Sequence, residues 1–169
     1  MLAGRMMQTN SVKALVYGTT DIFPTMTSDT APSPWECYAS SHDYPAWYAL
    51  DDNTNNNGWY TNSRPVFPVI FSFTLNVARV VYRYTISFGT SGYNGNTYLP
   101  KDWLFQGSTN NSTWITLDTR TGETGWTTGS KRTYTFSNLT TYKYYRFSIS
   151  ACGTIEYCGF DQTELMEVT

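Results

Sequence analysis

A chain of 169 residues is long enough for one domain with a real hydrophobic core and short for two. Charged residues make up 14% and aromatic residues 17%, which excludes disorder and argues against a coiled coil or helical bundle. A net charge of −2 makes no broad basic surface for duplex nucleic acid, and no apolar run approaches the roughly 20 residues of a membrane span.

In chain order, Met1 to Gln8 lacks the apolar stretch and small-residue cleavage site of a signal peptide. The expectation is a protein made in the cytoplasm and assembled there, or a mature fragment. Val12, Leu15, Val16 and Tyr17 form a short alternating run, and the Thr-, Ser- and Pro-rich stretch 25–34 reads as an extended connector. Residues 1–34 are therefore expected to be an arm that anchors the chain on a partner. The alternative is a lead-in strand packed on the domain's own edge.

From Trp35 onward the pattern is β. Alternating apolar positions run through Val69, Phe71, Phe73 and Leu75; through Val80, Tyr82, Tyr84, Ile86 and Phe88; and through Trp103 and Phe105. They continue through Tyr134 and Phe136, then Tyr145, Phe147 and Ile149. A period of two turns one face of each strand to a core. Turn-rich pieces separate the runs at 51–58, 89–96, 107–112 and 121–130, and no stretch keeps a helical period. Short strands with regular turns predict an all-β sandwich or jelly roll over 35–169. Of the three cysteines, Cys152 and Cys158 are close enough to close a short loop, and reduced thiols are the equal alternative. Three Cys and one His make a zinc site improbable.

Four groups of residues, in order, carry a resemblance. They are Ala39-Ser40-Ser41; Ala49-Leu50-Asp51 leading to Gly58-Trp59-Tyr60-Thr61; Pro100 to Ser108 followed by Trp114-Ile115-Thr116-Leu117-Asp118; and Tyr144 to Ile149 with the closing Glu164-Leu165. In this order they resemble the discoidin domain, or coagulation-factor type C domain, which family 32 carbohydrate-binding modules share. The resemblance covers Trp35 to Thr169 and implies a discoidin-like jelly-roll β-sandwich. Ile22-Phe23-Pro24 and Met26-Thr27-Ser28 are similar to the openings of bacteriophage virion and tail proteins that carry such a module.

The resemblance implies a structural calcium ion, Ca2+, held by Asp51, by the 51–58 loop including Asn53 and Asn57, and by Glu164. Calcium takes six to eight oxygen ligands, and this loop is rich in them. Asp52 stands where the family usually has Gly, and Asn57 where it usually has Thr. The alternative is an Asn-rich hairpin loop that needs no ion.

The resemblance also places the ligand on loops at one end of the barrel, here 41–45, 60–64, 90–98 and 152–158. A pyranose has an apolar C–H face for a ring to cover and an equator of hydroxyls for amides, Arg or His to bond. His42 and Arg64, with Asn62 or Asn94, are the candidate hydroxyl ligands. Tyr157, Tyr93 or Tyr44 is the candidate platform. Trp59, Trp103 and Trp114 lie in strand-like motifs and are expected in the core, Trp126 is either a cap or exposed, and Arg146 is expected to face outward into a surface ion pair.

No carboxylate pair of a glycosidase, no nucleophile elbow and no phosphate-cradling loop is recognisable. The expected function is therefore non-catalytic: a carbohydrate-binding, cell-adhesion module on a phage virion or tail that aids host attachment. Its partners would be a cell-surface glycan and other virion proteins reached through the arm. One weak site per copy makes a homo-oligomer useful. The alternative is a structural decoration or assembly protein with no sugar ligand. The loops carry Tyr, Asn and Ser, which disfavours membrane insertion.

Overall fold

A computed structural model describes residues 14–54, 58–89 and 97–169. The strands are β1 (Glu36–Ala39), β2 (Trp59–Tyr60), β3 (Val69–Ser87), β4 (Pro100–Ser108), β5 (Ile115–Arg120), β6 (Lys131–Thr135), β7 (Tyr142–Cys152), β8 (Gly159–Phe160) and β9 (Gln162–Val168). A single 3₁₀ turn, Ala46–Leu50, is the only helical element among the described residues. All strand pairings are antiparallel. The architecture is the β-sandwich of the discoidin class.

The two alternating runs at 69–75 and 80–88 join in one strand of 19 residues. Its first part pairs with β1 and β7, and the layer continues β1-β3-β7-β4-β5. Its second part pairs with β6 and β9. The register with β7 jumps between Thr74 and Arg79, where the strand passes from one layer to the other. A bend in a shared strand leaves backbone groups unpaired, and a side chain must satisfy them. Tyr145 does so: its hydroxyl accepts from Val81 N at 3.1 Å and donates to Arg79 O at 2.7 Å. Burial pushes the Tyr145 phenol well above its ordinary pKa, so the hydroxyl keeps its proton.

Between the layers the inward positions form one aromatic core. Tyr84 from the second half of β3 stacks on Phe105 of β4 at 4.5 Å and on Tyr134 of β6 at 5.1 Å, and meets Phe147 edge-on. Such pairs add about 0.5–1.5 kcal/mol each beyond area burial. The polar tips are satisfied in a chain: Trp103 Nε1 donates to Tyr84 Oη, and Tyr84 Oη donates to Asp118, each at 2.8 Å. Asp118 in turn pairs with Arg120 at 2.9 Å. A buried network of this kind is favourable only when every member is bonded. Trp59 and Trp103 are buried, as expected from their strands, and Trp126, left open between a cap and an exposed position, is buried as well. Trp114 departs from the core expectation: it follows the β4–β5 turn, is half-buried, and lies against Arg146 on the outer surface of the sheet.

Residues 14–34, read from the sequence as an arm or connector, lie along the domain. Tyr17 bridges Val168, Gly18 N donates to Glu167 O, and Ile22 N donates to Leu165 O. Phe23 and Met26 are buried in the core, and Phe23 packs edge-on against Trp35 and Phe73. Packing therefore has no boundary at residue 34. The burial also accounts for Phe23 and Met26 within the Ile22-Phe23-Pro24 and Met26-Thr27-Ser28 motifs. Removing the Met26 side chain (Met26→Ala) is expected to cost about 2–5 kcal/mol in urea unfolding; a connector residue would change nothing.

Asp21 fastens this segment to β9. Its Oδ1 accepts from Phe23 N at 3.0 Å and Leu165 N at 2.9 Å. Burial outweighs these bonds and pushes its carboxyl up to about 7, with Glu164 and Asp52 adding repulsion. The unfolded carboxyl loses its proton near 3.8, so folding takes up a proton between about pH 4 and 7. Stability from this group is full below that window and falls as pH rises through it. Asp21→Asn keeps an accepting oxygen and removes the charge. It should match the wild type near pH 4 and exceed it at pH 8 by on the order of 2 kcal/mol. Parallel urea-unfolding curves of the two proteins at both pH values would refute the assignment.

Candidate functional site

The loop end is built on the small β2–β8 pair. Trp59 pairs with Phe160 and Tyr60 with Gly159. Gly159 is required there, because a Cβ would collide with Trp59 O and the Tyr60 ring. Below the pair lies Asp161, which is 1% exposed; its Oδ2 accepts from Gly89 N, and burial pushes its carboxyl up to about 6.

Three loops meet above this base. The 41–45 loop is tied to β2: Trp59 Nε1 donates to Ser41 O at 3.1 Å, Asp43 N donates to Tyr60 O at 2.8 Å, and Tyr44 bridges Tyr60. The 60–64 loop is tied to the first, since Asn62 N donates to Ser41 Oγ at 3.2 Å. It is also tied to the 152–158 loop. Thr61 N donates to Cys158 O at 2.9 Å, Cys158 N donates to Thr61 Oγ1 at 3.0 Å, and Arg64 N donates to Glu156 O at 2.7 Å. Cys152 and Cys158 form a disulfide that closes the third loop. Cys37 is free and buried beside Asp29, and burial pushes its thiol up.

His42, Asn62 and Arg64 are all exposed on this rim. Tyr44 and Tyr157 are half-buried. Arg64 Nε lies 3.4 Å from Glu156 Oε2, and the Arg64 side chain is 75% exposed, so the pair is loosely held and open to a ligand. The Tyr157 ring lies 5.1 Å from Tyr98, whose ring in turn lies 6.4 Å from Tyr60. The fold thus gathers His42, Tyr44, Asn62, Arg64 and Tyr157 at one end. Tyr93 and Asn94 fall outside the described residues. Two neighbours were not singled out in the sequence, Glu156 and Tyr98. Glu156 had no motif to mark it, and only its bond with Arg64, 92 residues away, shows its place. Val66 and Ile155, near this pair in sequence, are exposed aliphatic residues.

Of the residues read as calcium ligands, Asp51 and Asn53 lie together, with Asn53 N donating to Asp51 Oδ1 at 2.9 Å. Asp51 Oδ1 and the carbonyls of Tyr48 and Asn53 converge on one point, but that point holds Gln162 Nε2, at 2.9, 2.7 and 3.3 Å. All three neighbours accept, and the amide presents its nitrogen to them. Glu164 is bonded elsewhere, accepting from Lys131 Nζ at 2.6 Å and from Thr85 Oγ1 at 3.2 Å. Asn57 lies outside the described residues. Oxygens converging in this way are also the kind that calcium takes. Gln162→Leu should cost about 1–3 kcal/mol in urea unfolding by orphaning the acceptors. A melting temperature higher in calcium than in EDTA would mark an ion at this point, and equal temperatures would leave the amide as the tie.

No protein-family model matches the sequence, and no curated protein matches it. The fold is similar to many solved structures. One is the family 32 carbohydrate-binding module of Clostridium perfringens NanJ in complex with galactose: TM-score 0.65, 20% identity, covering 79% of this chain and 93% of that one. Another is an F5/8 type C domain from Bacteroides fragilis: TM-score 0.66, 16% identity, covering 83% and 95%. A third is the family 32 module of AlyQ in complex with 4,5-unsaturated mannuronic acid: TM-score 0.61, 18% identity, covering 76% and 92%. The chain has the discoidin-type fold that carbohydrate-binding modules share.

Proposed function

We propose that this protein is a non-catalytic glycan-binding module whose ligand sits on the rim formed by the 41–45, 60–64 and 152–158 loops. The observation that carries the reading is the convergence there of an imidazole, an amide, a guanidinium with a loosely held carboxylate, and a pair of tyrosine rings. Donors and acceptors meet sugar hydroxyls, and Tyr157 offers a face for C–H groups. The fold is compatible, since its structural neighbours include modules solved with galactose and with a mannuronic acid. In a virion or tail protein such a module would aid attachment to the host surface. A single shallow site binds weakly, so adhesion would draw on several copies.

A glycan array tests this. The wild type should bind, and a His42→Ala, Arg64→Ala double variant should lose about tenfold or more in affinity while melting at the wild-type temperature. Failure of the wild type to hold any glycan, or unchanged binding by the variant, would refute it. Val66 and Ile155 supply little area for insertion into a bilayer. Sedimentation with vesicles, and none with glycans, would reassign the rim to lipid.

A second reading has its own observation. Leu15, Tyr17 and Leu139 line a hollow of about 560 Å³ beside the C-terminal strand, and all are more than half exposed. Exposed apolar clusters mark contacts with other proteins, and an assembly role for this end is compatible with glycan binding at the rim.

A further inference from the structure

The outer face of the larger layer carries a second polar and aromatic constellation. The strand registers align one outward row across five strands: Tyr38 with Ser72, Ser72 with Arg146, Arg146 with Gln106, and Gln106 with Thr116. The row is internally fixed. Arg146 Nε donates to Gln106 Oε1 at 2.7 Å, and Gln106 Nε2 donates to Thr116 Oγ1 at 3.2 Å. The Arg146 guanidinium lies 4.1 Å from the centre of the Trp114 ring. The expected surface ion pair is absent: among the described residues Arg146 has no carboxylate partner, whereas Arg64, Arg79, Arg120 and Arg132 each have one. Its Nη groups make no hydrogen bond within the described chain, and burial lowers its pKa. A cation held in place, partly desolvated and unpaired in this way is preorganised for a ligand.

Ser72 and Arg146 of this row, with Ile70 and Thr74, form the floor of a groove of about 620 Å³, within the usual range for ligand sites. Trp114 and Asn111 flank it on one side. Tyr38, which is 60% exposed, flanks it on the other with Glu36 and Asp29. The two carboxylates repel an anionic ligand and Arg146 repels a cationic one. An uncharged polyhydroxylated ligand satisfies both, accepting from the guanidinium, donating to Glu36, and laying C–H faces on Tyr38 and Trp114. Two strand spacings separate Tyr38 from Arg146, roughly 10 Å, which leaves room for a disaccharide.

We propose that this groove is a second glycan site, distinct from the rim, that takes a neutral segment of an oligosaccharide chain across the sheet. The inference goes beyond the rim reading and does not share residues with it.

The experiment uses an array of β-galacto-oligosaccharides and β-1,4-linked N-acetylglucosamine oligosaccharides, from disaccharide to hexasaccharide, with mannuronate oligosaccharides as the acidic arm. Tyr38→Ala, Trp114→Ala should weaken binding of a neutral oligosaccharide by about tenfold or more. The rim variant His42→Ala, Arg64→Ala should retain measurable binding of the same sugar. Ser72→Trp, which fills the floor from the outward face, should reproduce the loss and guards against misfolding of the double variant. If both groove variants bind neutral oligosaccharides as the wild type does, or the rim variant binds none, the groove proposal fails and the rim reading stands. Groove-dependent binding confined to the acidic arm overturns the neutral ligand. A wild type silent on the whole array overturns both.

Discussion

The structure depends on one strand serving two layers. β3 supplies an inward face to the larger sheet through Val69, Phe71, Phe73 and Leu75, and to the opposing strands through Tyr84 and Ile86. A strand cannot change sheets without leaving backbone groups unpaired, and at this crossing the Tyr145 hydroxyl takes them at Arg79 and Val81. The two layers are thereby covalently continuous at the middle of the sandwich. The aromatic core can then close across a fixed gap, with Tyr84 seated among Phe105, Tyr134 and Phe147.

A rigid sandwich makes its ends and outer faces available for recognition. The rim residues hang on loops, yet those loops are bonded to one another through Ser41, Thr61, Arg64 and Cys158, and the disulfide closes the last of them. The backbone is ordered by these bonds while His42, Asn62 and Arg64 remain exposed. That division, with fixed main chain and free side chains, limits the entropy lost when a ligand binds. The outer groove uses a different device. Its floor is the sheet itself, so register alone sets the spacing of Tyr38, Ser72 and Arg146.

The Gln162 amide joins the first long loop to the last strand. Three oxygens from the 3₁₀ turn and the loop after it converge, and an N–H pair from the last strand meets them. These hydrogen bonds tie the first long loop to the C-terminal strand. Asp21 makes a parallel tie from the N-terminal segment to Leu165, at the cost of a buried carboxyl.

Much of this was legible in the chain. Alternation at 69–75, 84–88, 103–105 and 145–149 specifies inward faces because a β-strand has a period of two, and those positions are buried. At Val80 and Tyr82 it fails: the register shifts between Val81 and Arg83, so Val81 enters the core while Val80 and Tyr82 pack with Met166 and Val168 in a smaller cluster. Turn chemistry located the loops, and residue type marked His42, Asn62, Arg64 and Tyr157 as groups able to meet hydroxyls. What required the tertiary structure is every relation between residues distant in sequence. Periodicity is a local signal: it cannot say that Glu156 would meet Arg64, that Gln162 would reach Asp51 in place of Glu164, or that Phe23 would enter the core from a stretch that reads as a connector. Nor can it tell an inward Trp103 from an outward Trp114, because which residue follows the turn depends on where the turn closes. Local composition determined the strands and the chemistry on offer; strand register and loop contacts, which are long-range, decided which groups came together.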